Sequence, residues 1–206
     1  MSRATVGVVD YGAGNLASVK AAVHALGFRC RVTSDPELLD TTDVLLLPGV
    51  GAFGAAMAEL ARLNLVDYFR ERARTGKPIV GICLGMQLLA DSSEEFGLTA
   101  GLGLIPGNVV SLKQDSWHIG WNNMEVLSDS ECFRHSDGMS FYFNHSYEFR
   151  AAPEYRVAVA RLRQDEEPVV VAVRRGSMVG LQLHPEKSQF AGRMLLKNVI
   201  SELCRA

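Results

Sequence analysis

Gly81-Ile82-Cys83-Leu84-Gly85 is the stretch whose reading decides the fold. It follows the apolar run Lys77-Pro78-Ile79-Val80 and leads into Met86-Gln87-Leu88-Leu89-Ala90, so it predicts a strand, one tight turn and a helix. Cys83 then sits on the turn. Glycine on either side tolerates backbone angles and close approaches that a Cβ would forbid. A nucleophile elbow is built this way, here spelled G-x-C-x-G with a thiol in place of the usual hydroxyl. At a helix N-terminus the sulfur also meets the positive end of the macrodipole and unpaired N–H groups, which favour the thiolate. A cysteine in an apolar run is ordinarily a small core filler; the paired glycines and the strand-to-helix placement reverse that reading.

Outward from this stretch, strand and helix alternate. Residues 5–10 read as a buried parallel strand, Tyr11-Gly12-Ala13-Gly14 as a turn, and Asn15 as the cap of a helix with Leu16, Val19, Val23 and Leu26 on one face. Short strands are expected at 29–33 and 43–47, with a proline-containing link between them. The second runs into the loop Pro48-Gly49-Val50-Gly51, and a helix is expected from 52 to about 74, broken near Leu63-Asn64. This alternation predicts a parallel sheet with helices on both faces. Beyond residue 101 the helical period disappears. Strand candidates at 108–112, 139–143, 156–161, 168–173 and 178–183 predict a mixed or antiparallel extension of the same sheet, closed by a helix from 191 to about 204. The fold class is therefore α/β: one domain over 1–206, with an open, mostly parallel sheet flanked by helices and extended in its second half.

The 206 residues are 48% hydrophobic, enough for one such core. A formal charge of −2 and the lack of any Lys/Arg block argue against nucleic-acid or anionic-membrane partners. The first residues lack the charged region and long apolar run of a secretory signal, and no stretch approaches the ~20 apolar residues of a membrane span, so a cytosolic location is expected. Cys30, Cys83, Cys132 and Cys204 are scattered without a C-x-x-C pair, which fits reduced thiols better than disulfides or a zinc site.

A thiol nucleophile needs a base. His24 and His135 stand among polar surface positions. His184 ends an apolar strand and precedes Pro185-Glu186; the proline biases it toward extended backbone, where residues two apart share a side. One ring nitrogen of His184 can then take the Cys83 proton while Glu186 orients the other. The N–H of Leu84 is one donor for an oxyanion, and the Pro48-Gly49-Val50-Gly51 loop, also following a strand, offers a second through Val50 and Gly51. Gly12-Ala13-Gly14-Asn15-Leu16-Ala17, with Asp35 about twenty residues on, matches a dinucleotide fingerprint. However, Ser34-Asp35-Pro36 reads as a loop and not a strand tip, and a dinucleotide site leaves Cys83 and His184 without a task. A binding or regulatory subunit without turnover is a third reading, disfavoured by the complete triad.

Pro-Gly-Val-Gly at 48–51, Gly-Ile-Cys-Leu-Gly-Met-Gln at 81–87 and His-Pro-Glu-Lys-Ser at 184–188 resemble the class I (triad) glutamine amidotransferases. Tyr-Gly-Ala-Gly-Asn at 11–15, His-Ile-Gly-Trp-Asn at 118–122 and Asn-His-Ser-Tyr at 144–147 narrow the resemblance to the glutaminase subunits of imidazole glycerol phosphate synthase, in histidine biosynthesis. The resemblance spans nearly the whole chain. It implies that Cys83 attacks the side-chain amide of glutamine to give a γ-glutamyl thioester and ammonia, with His184 shuttling the proton and Glu186 orienting it. It further implies that Gln87, Glu95, Ser146 and Tyr147 hold the glutamine, with Gly49 contributing backbone. No cofactor and no metal are implied. The implied partner is a separate (β/α)8-barrel cyclase subunit, forming a heterodimer in which ammonia joins a ribonucleotide. Asn15, Trp121, Tyr142 and Lys187 match positions that face or communicate across that interface. The Val50 peptide is implied to reorient and complete the oxyanion hole when the partner binds its nucleotide. A glutaminase serving anthranilate or aminodeoxychorismate synthase is the alternative within the fold, disfavoured by the segments at 118–122 and 184–188.

Overall fold

Every residue of Val44–Gly49 and Ile79–Cys83 is buried, so both faces of the sheet that contains them have to be covered. The computed structural model describes residues 3–112, 117–128, 130–162 and 167–205, and the ends of the 1–206 span lie outside these. Its strands in chain order are β1 (Thr5–Val9), β2 (Arg29–Thr33), β3 (Val44–Gly49), β4 (Ile79–Cys83), β5 (Ser92–Ser93), β6 (Thr99–Ala100), β7 (Gly107–Ser111), β8 (His118–Val126), β9 (Ser140–His145), β10 (Tyr147–Ala151), β11 (Arg156–Ala160), β12 (Val169–Arg175) and β13 (Met178–Leu181). The helices are α1 (Leu16–Ala25), α2 (Pro36–Asp40), α3 (Phe53–Arg62), α4 (Leu65–Arg74), α5 (Leu84–Leu88) and α6 (Gln189–Leu203).

Among the described residues the main sheet has nine strands in the order β2-β1-β3-β4-β13-β12-β11-β8-β9. From β2 to β13 the neighbours are parallel. From β12 outward they are antiparallel, so the sheet is mixed, as the change of pattern near residue 101 predicts. Alternation along the strands assigns the two layers. Val6, Val8, Val44, Leu46, Val80 and Ile82 pack with Val19 and Val23 of α1 and with Leu195, Val199 and Ile200 of α6. On the other face Leu45, Leu47 and Ile79 pack with Leu39 of α2, Phe53, Met57 and Leu60 of α3, Phe69 of α4 and Leu84 of α5.

The expected break near residues 63–64 is present: Asn64 adopts a left-handed conformation (φ 56°) between α3 and α4. Three expectations are corrected. Residues 108–112 do not extend the main sheet. β7 belongs to a second sheet, ordered β10-β7-β5-β6, because Val109 on β7 and Phe149 on β10 are fully buried against the cluster of α3 to α5. The link at residue 36 contains α2, started by Asp35, whose side chain accepts from the Glu37 N–H at 2.9 Å. β8 and β10 carry no expected strand. β8 exposes Ile119 and Trp121 on its solvent side, which erases the apolar-polar alternation that marks a half-buried strand. Among the described residues no helix is long and apolar enough to cross a membrane.

Candidate active site

The neighbouring parallel strands β3, β4 and β13 end at one edge of the sheet, where open α/β folds bind ligands. β3 ends in the Pro48-Gly49-Val50-Gly51 loop, with Gly49 in register with Cys83 at the end of β4. β13 continues through Gln182 and Leu183 to His184. The chain therefore brings the three segments, which run from Pro48 to His184 in the sequence, together by strand order alone.

Cys83 takes φ 54° and ψ −112° between β4 and α5, a conformation that L residues rarely adopt. The flanking glycines act through space and not through unusual angles, since neither Gly81 nor Gly85 is among the residues with positive φ. A Cβ on Gly81 would strike the Gly85 carbonyl, and one on Gly85 would strike the Leu47 carbonyl. The glycines let the first turn of α5 sit against β3 and β4, and Cys83 carries the strained backbone.

His184 is buried (4% exposed) and extended, at φ −101° and ψ 93°. Its main-chain N–H donates to the Tyr142 carbonyl at 3.0 Å, and its own carbonyl accepts from the Ser188 hydroxyl at 2.7 Å. Glu186 approaches it through a 3-10 turn, Pro185–Lys187, and not by strand alternation; His184 Nδ1 lies 2.9 Å from Glu186 Oε1. Burial works against a charge on His184. Hydrogen bonds to Cys83 and Glu186 and the charges of both outweigh it, raising the imidazole pKa to about 9. The structure thus brings Cys83 to the same cavity as the hydrogen-bonded His184–Glu186 pair, with the Cys83 thiol donating to the Asn144 carbonyl at 3.7 Å.

That cavity has a volume of about 490 Å3. Val50, Gly51, Leu84, Gln87, Glu95, Ser146, Tyr147 and Lys187 line it together with Cys83 and His184. Gly51 has φ 100°, which glycine alone takes without strain. Gly49 is buried and not part of the cavity lining, and a Cβ there would strike the Tyr11 hydroxyl. Ser146 is the bend at which the chain passes from β9 in the main sheet to β10 in the second, and this crossing carries residues 144–147 over Cys83. The Gln87 Nε2 group is spent inside the protein, on the Tyr147 carbonyl and Gln182 Oε1, each at 3.0 Å. Glu95 reaches the cavity from the β5–β6 hairpin, and its Oε2 accepts the Phe53 N–H at 2.6 Å, supplying a cap that Ala52 cannot give to α3.

Of the four residues expected at a partner interface, Lys187 lines the cavity, and Asn15, Trp121 and Tyr142 do not. Asn15 is exposed and caps α1, its Oδ1 accepting the Ser18 N–H at 3.2 Å. Trp121 is 47% exposed, with its ring 5.9 Å from that of Tyr142, and Lys187 Nζ stands 5.7 Å from the Tyr142 ring centroid. Two buried groups escaped the sequence reading. His145 lines the cavity and is held between the Tyr147 carbonyl (2.9 Å) and His118 (3.0 Å); burial pushes its pKa down to about 4. Gln182 is fully buried next to Cys83. Its signal was its place two residues before His184 on an extended segment, hence on the same side.

Residues 7–202 match the model of the family described as glutamine amidotransferase class-I. The imidazole glycerol phosphate synthase subunit HisH of Carboxydothermus hydrogenoformans is 44% identical over 195 residues, covering 93% of this chain and 96% of that one. The protein of the same name from Methanopyrus kandleri is 44% identical over 203 residues, covering 97% and 99%. Among solved structures, PurLQS from Thermotoga maritima superposes with a TM-score of 0.78 at 19% identity, covering 98% of this chain and 100% of that one. A glutamine amidotransferase from Thermotoga maritima gives 0.71 at 16% identity, with both chains covered completely. These two show the shared fold, while the family match and the relatives' identity carry the assignment: the chain belongs to the class-I glutamine amidotransferases.

Proposed function

We propose that the chain acts as the glutaminase subunit of imidazole glycerol phosphate synthase in histidine biosynthesis, releasing ammonia from L-glutamine for a separate cyclase subunit. Relatives 40–44% identical over nearly the full length carry that subunit's name. The observation that carries the chemistry is the thiol of Cys83 on a strained elbow, in one cavity with a buried, hydrogen-bonded His184–Glu186 pair.

In this reading Cys83 reacts as the thiolate with the proton held on His184, and the thiolate attacks the glutamine side-chain carbonyl. Charge collects on the carbonyl oxygen, which the N–H of Leu84 and the backbone of Val50 and Gly51 receive; one such donor is worth about 3 kcal/mol in the transition state. The imidazolium returns its proton to the leaving nitrogen, ammonia departs, and a γ-glutamyl thioester remains. Water activated by His184 then cleaves the thioester to give glutamate, with Glu186 holding the imidazole throughout. Glu95, Ser146, Tyr147 and Gln87 hold the glutamine, with Gly49 contributing backbone. The span 1–206 works as one domain in the cytoplasm, without a cofactor. Its partner is a (β/α)8 barrel that docks on the face bearing Asn15, Trp121, Tyr142 and Lys187.

Glutamate release from glutamine, measured for the chain alone and then with a cyclase subunit and its nucleotide ligand, tests this function. Low activity alone, a large rise in the complex and loss of activity in Cys83→Ala are expected. A folded complex that releases no glutamate would refute the reading.

A further inference from the structure

Gln182 follows β13, has no solvent exposure, and is fixed by its main-chain N–H donating to the Val171 carbonyl at 2.9 Å. A chain of hydrogen bonds determines which end of its amide faces the sulfur. The Tyr147 carbonyl can only accept, so the Gln87 nitrogen 3.0 Å away donates to it. The same nitrogen lies 3.0 Å from Gln182 Oε1, which therefore accepts. That leaves the Gln182 amide nitrogen 3.8 Å from Cys83 Sγ. The opposite orientation would set two NH2 groups against each other and a carbonyl oxygen against the sulfur. Main-chain geometry at Tyr147 thus dictates that an N–H is presented to Cys83.

We propose that Gln182 is a further catalytic residue of this site, whose buried amide N–H donates to the Cys83 sulfur and stabilises its thiolate form. The proposal rests on the glutaminase reading of Cys83. Other neighbours of the sulfur have different effects. The Asn144 carbonyl, 3.7 Å away, can only accept and so favours the thiol. His184 takes and returns the proton. Gln182 exchanges none: it contributes a fixed dipole, present before attack and again when the thioester is cleaved and the sulfur regains its charge. Because the amide is enclosed, water does not compete for it, and hydrogen bonds to a charged group are the strong kind.

The test is the pH profile of iodoacetamide alkylation at Cys83 in the full-length protein. It is followed by mass spectrometry on the Cys83 peptide, so that Cys30, Cys132 and Cys204 do not contribute. Gln182→Met keeps the length and removes the donor. Its alkylation midpoint is expected to rise by about one pH unit, and kcat for glutamate release in the cyclase complex to fall about tenfold with KM within about twofold. Gln182→Glu keeps the acceptor for Gln87 but sets an oxygen against the sulfur, and its midpoint is expected to rise further. If the methionine variant does not fold, the glutamate variant decides. An unchanged midpoint in a folded variant overturns the proposal, even if kcat falls, because a packing defect alone predicts that pattern. Failure of the wild-type complex to release glutamate overturns the underlying glutaminase reading instead, and the alkylation profile separates the two failures.

Discussion

At Cys83 and His184 the chain maintains two states that each cost free energy in isolation: a non-glycine residue at φ 54° and a buried histidine that holds its proton. The first costs of order 1–3 kcal/mol and persists because β4 and α5 determine the turn from both sides. The second has a consequence for stability. An unfolded histidine titrates near about 6.5. Between about pH 6.5 and about 9 the native state keeps a proton on His184 that the unfolded chain has lost, so stability declines as pH rises through that window. His145 acts at the other end. Burial lowers its pKa to about 4, so the unfolded chain binds a proton that the native state refuses, and stability also declines as pH falls from about 6.5 toward 4. Urea midpoints measured at constant ionic strength should therefore peak near neutrality, and the alkaline decline should flatten in His184→Gln. An equally steep alkaline decline in that variant would count against this account of His184.

The elements that shape the elbow are β3, β4 and α5, and their close packing depends on missing side chains. Gly85 stands against the Leu47 carbonyl of β3, a backbone atom that cannot rotate away. Gly85→Ala is expected to destabilise the protein by about 3 kcal/mol, despite the better helix propensity of alanine, because overpacking against main chain is not relieved by a rotamer change. Chemical denaturation reads this directly, and a loss below about 1 kcal/mol would mean that α5 shifts freely. The β5–β6 hairpin is the other element that matters for the site. By capping α3 through Glu95, it ties the helix that follows the Val50–Gly51 loop to a wall of the cavity.

Over the whole molecule, the solvent-facing side of β8 and the start of α6 carry exposed Ile119, Trp121 and Phe190, with Trp117 and Val50 exposed at the cavity. Exposed aromatics of this kind mark binding surfaces. On the proposed heterodimer, Trp121→Ala combined with Phe190→Ala should weaken cyclase binding at least about tenfold, while the thermal midpoint of the isolated chain moves little. Titration calorimetry and a melting curve separate the two effects; unchanged affinity would put the cyclase elsewhere.

Gly81 to Gly85, the alternation over the first ninety residues and the His184-Pro185-Glu186 segment carried the fold class and the candidate triad within the sequence, because local period and turn chemistry are short-range properties. The second sheet was not legible there: β7 and β10 are joined by burial against α3 to α5, and pairing between distant strands leaves no local mark. The amide chain from Tyr147 through Gln87 to Gln182 was hidden for the same reason. Its members are separated by up to 95 residues, and the orientation of each amide is determined only by what faces it. Sequence by itself determined that this chain makes a thiol elbow at the end of a parallel strand. Tertiary structure alone decided which buried groups surround that sulfur and which way each one points, since partners brought together by strand order meet only when the sheet has formed.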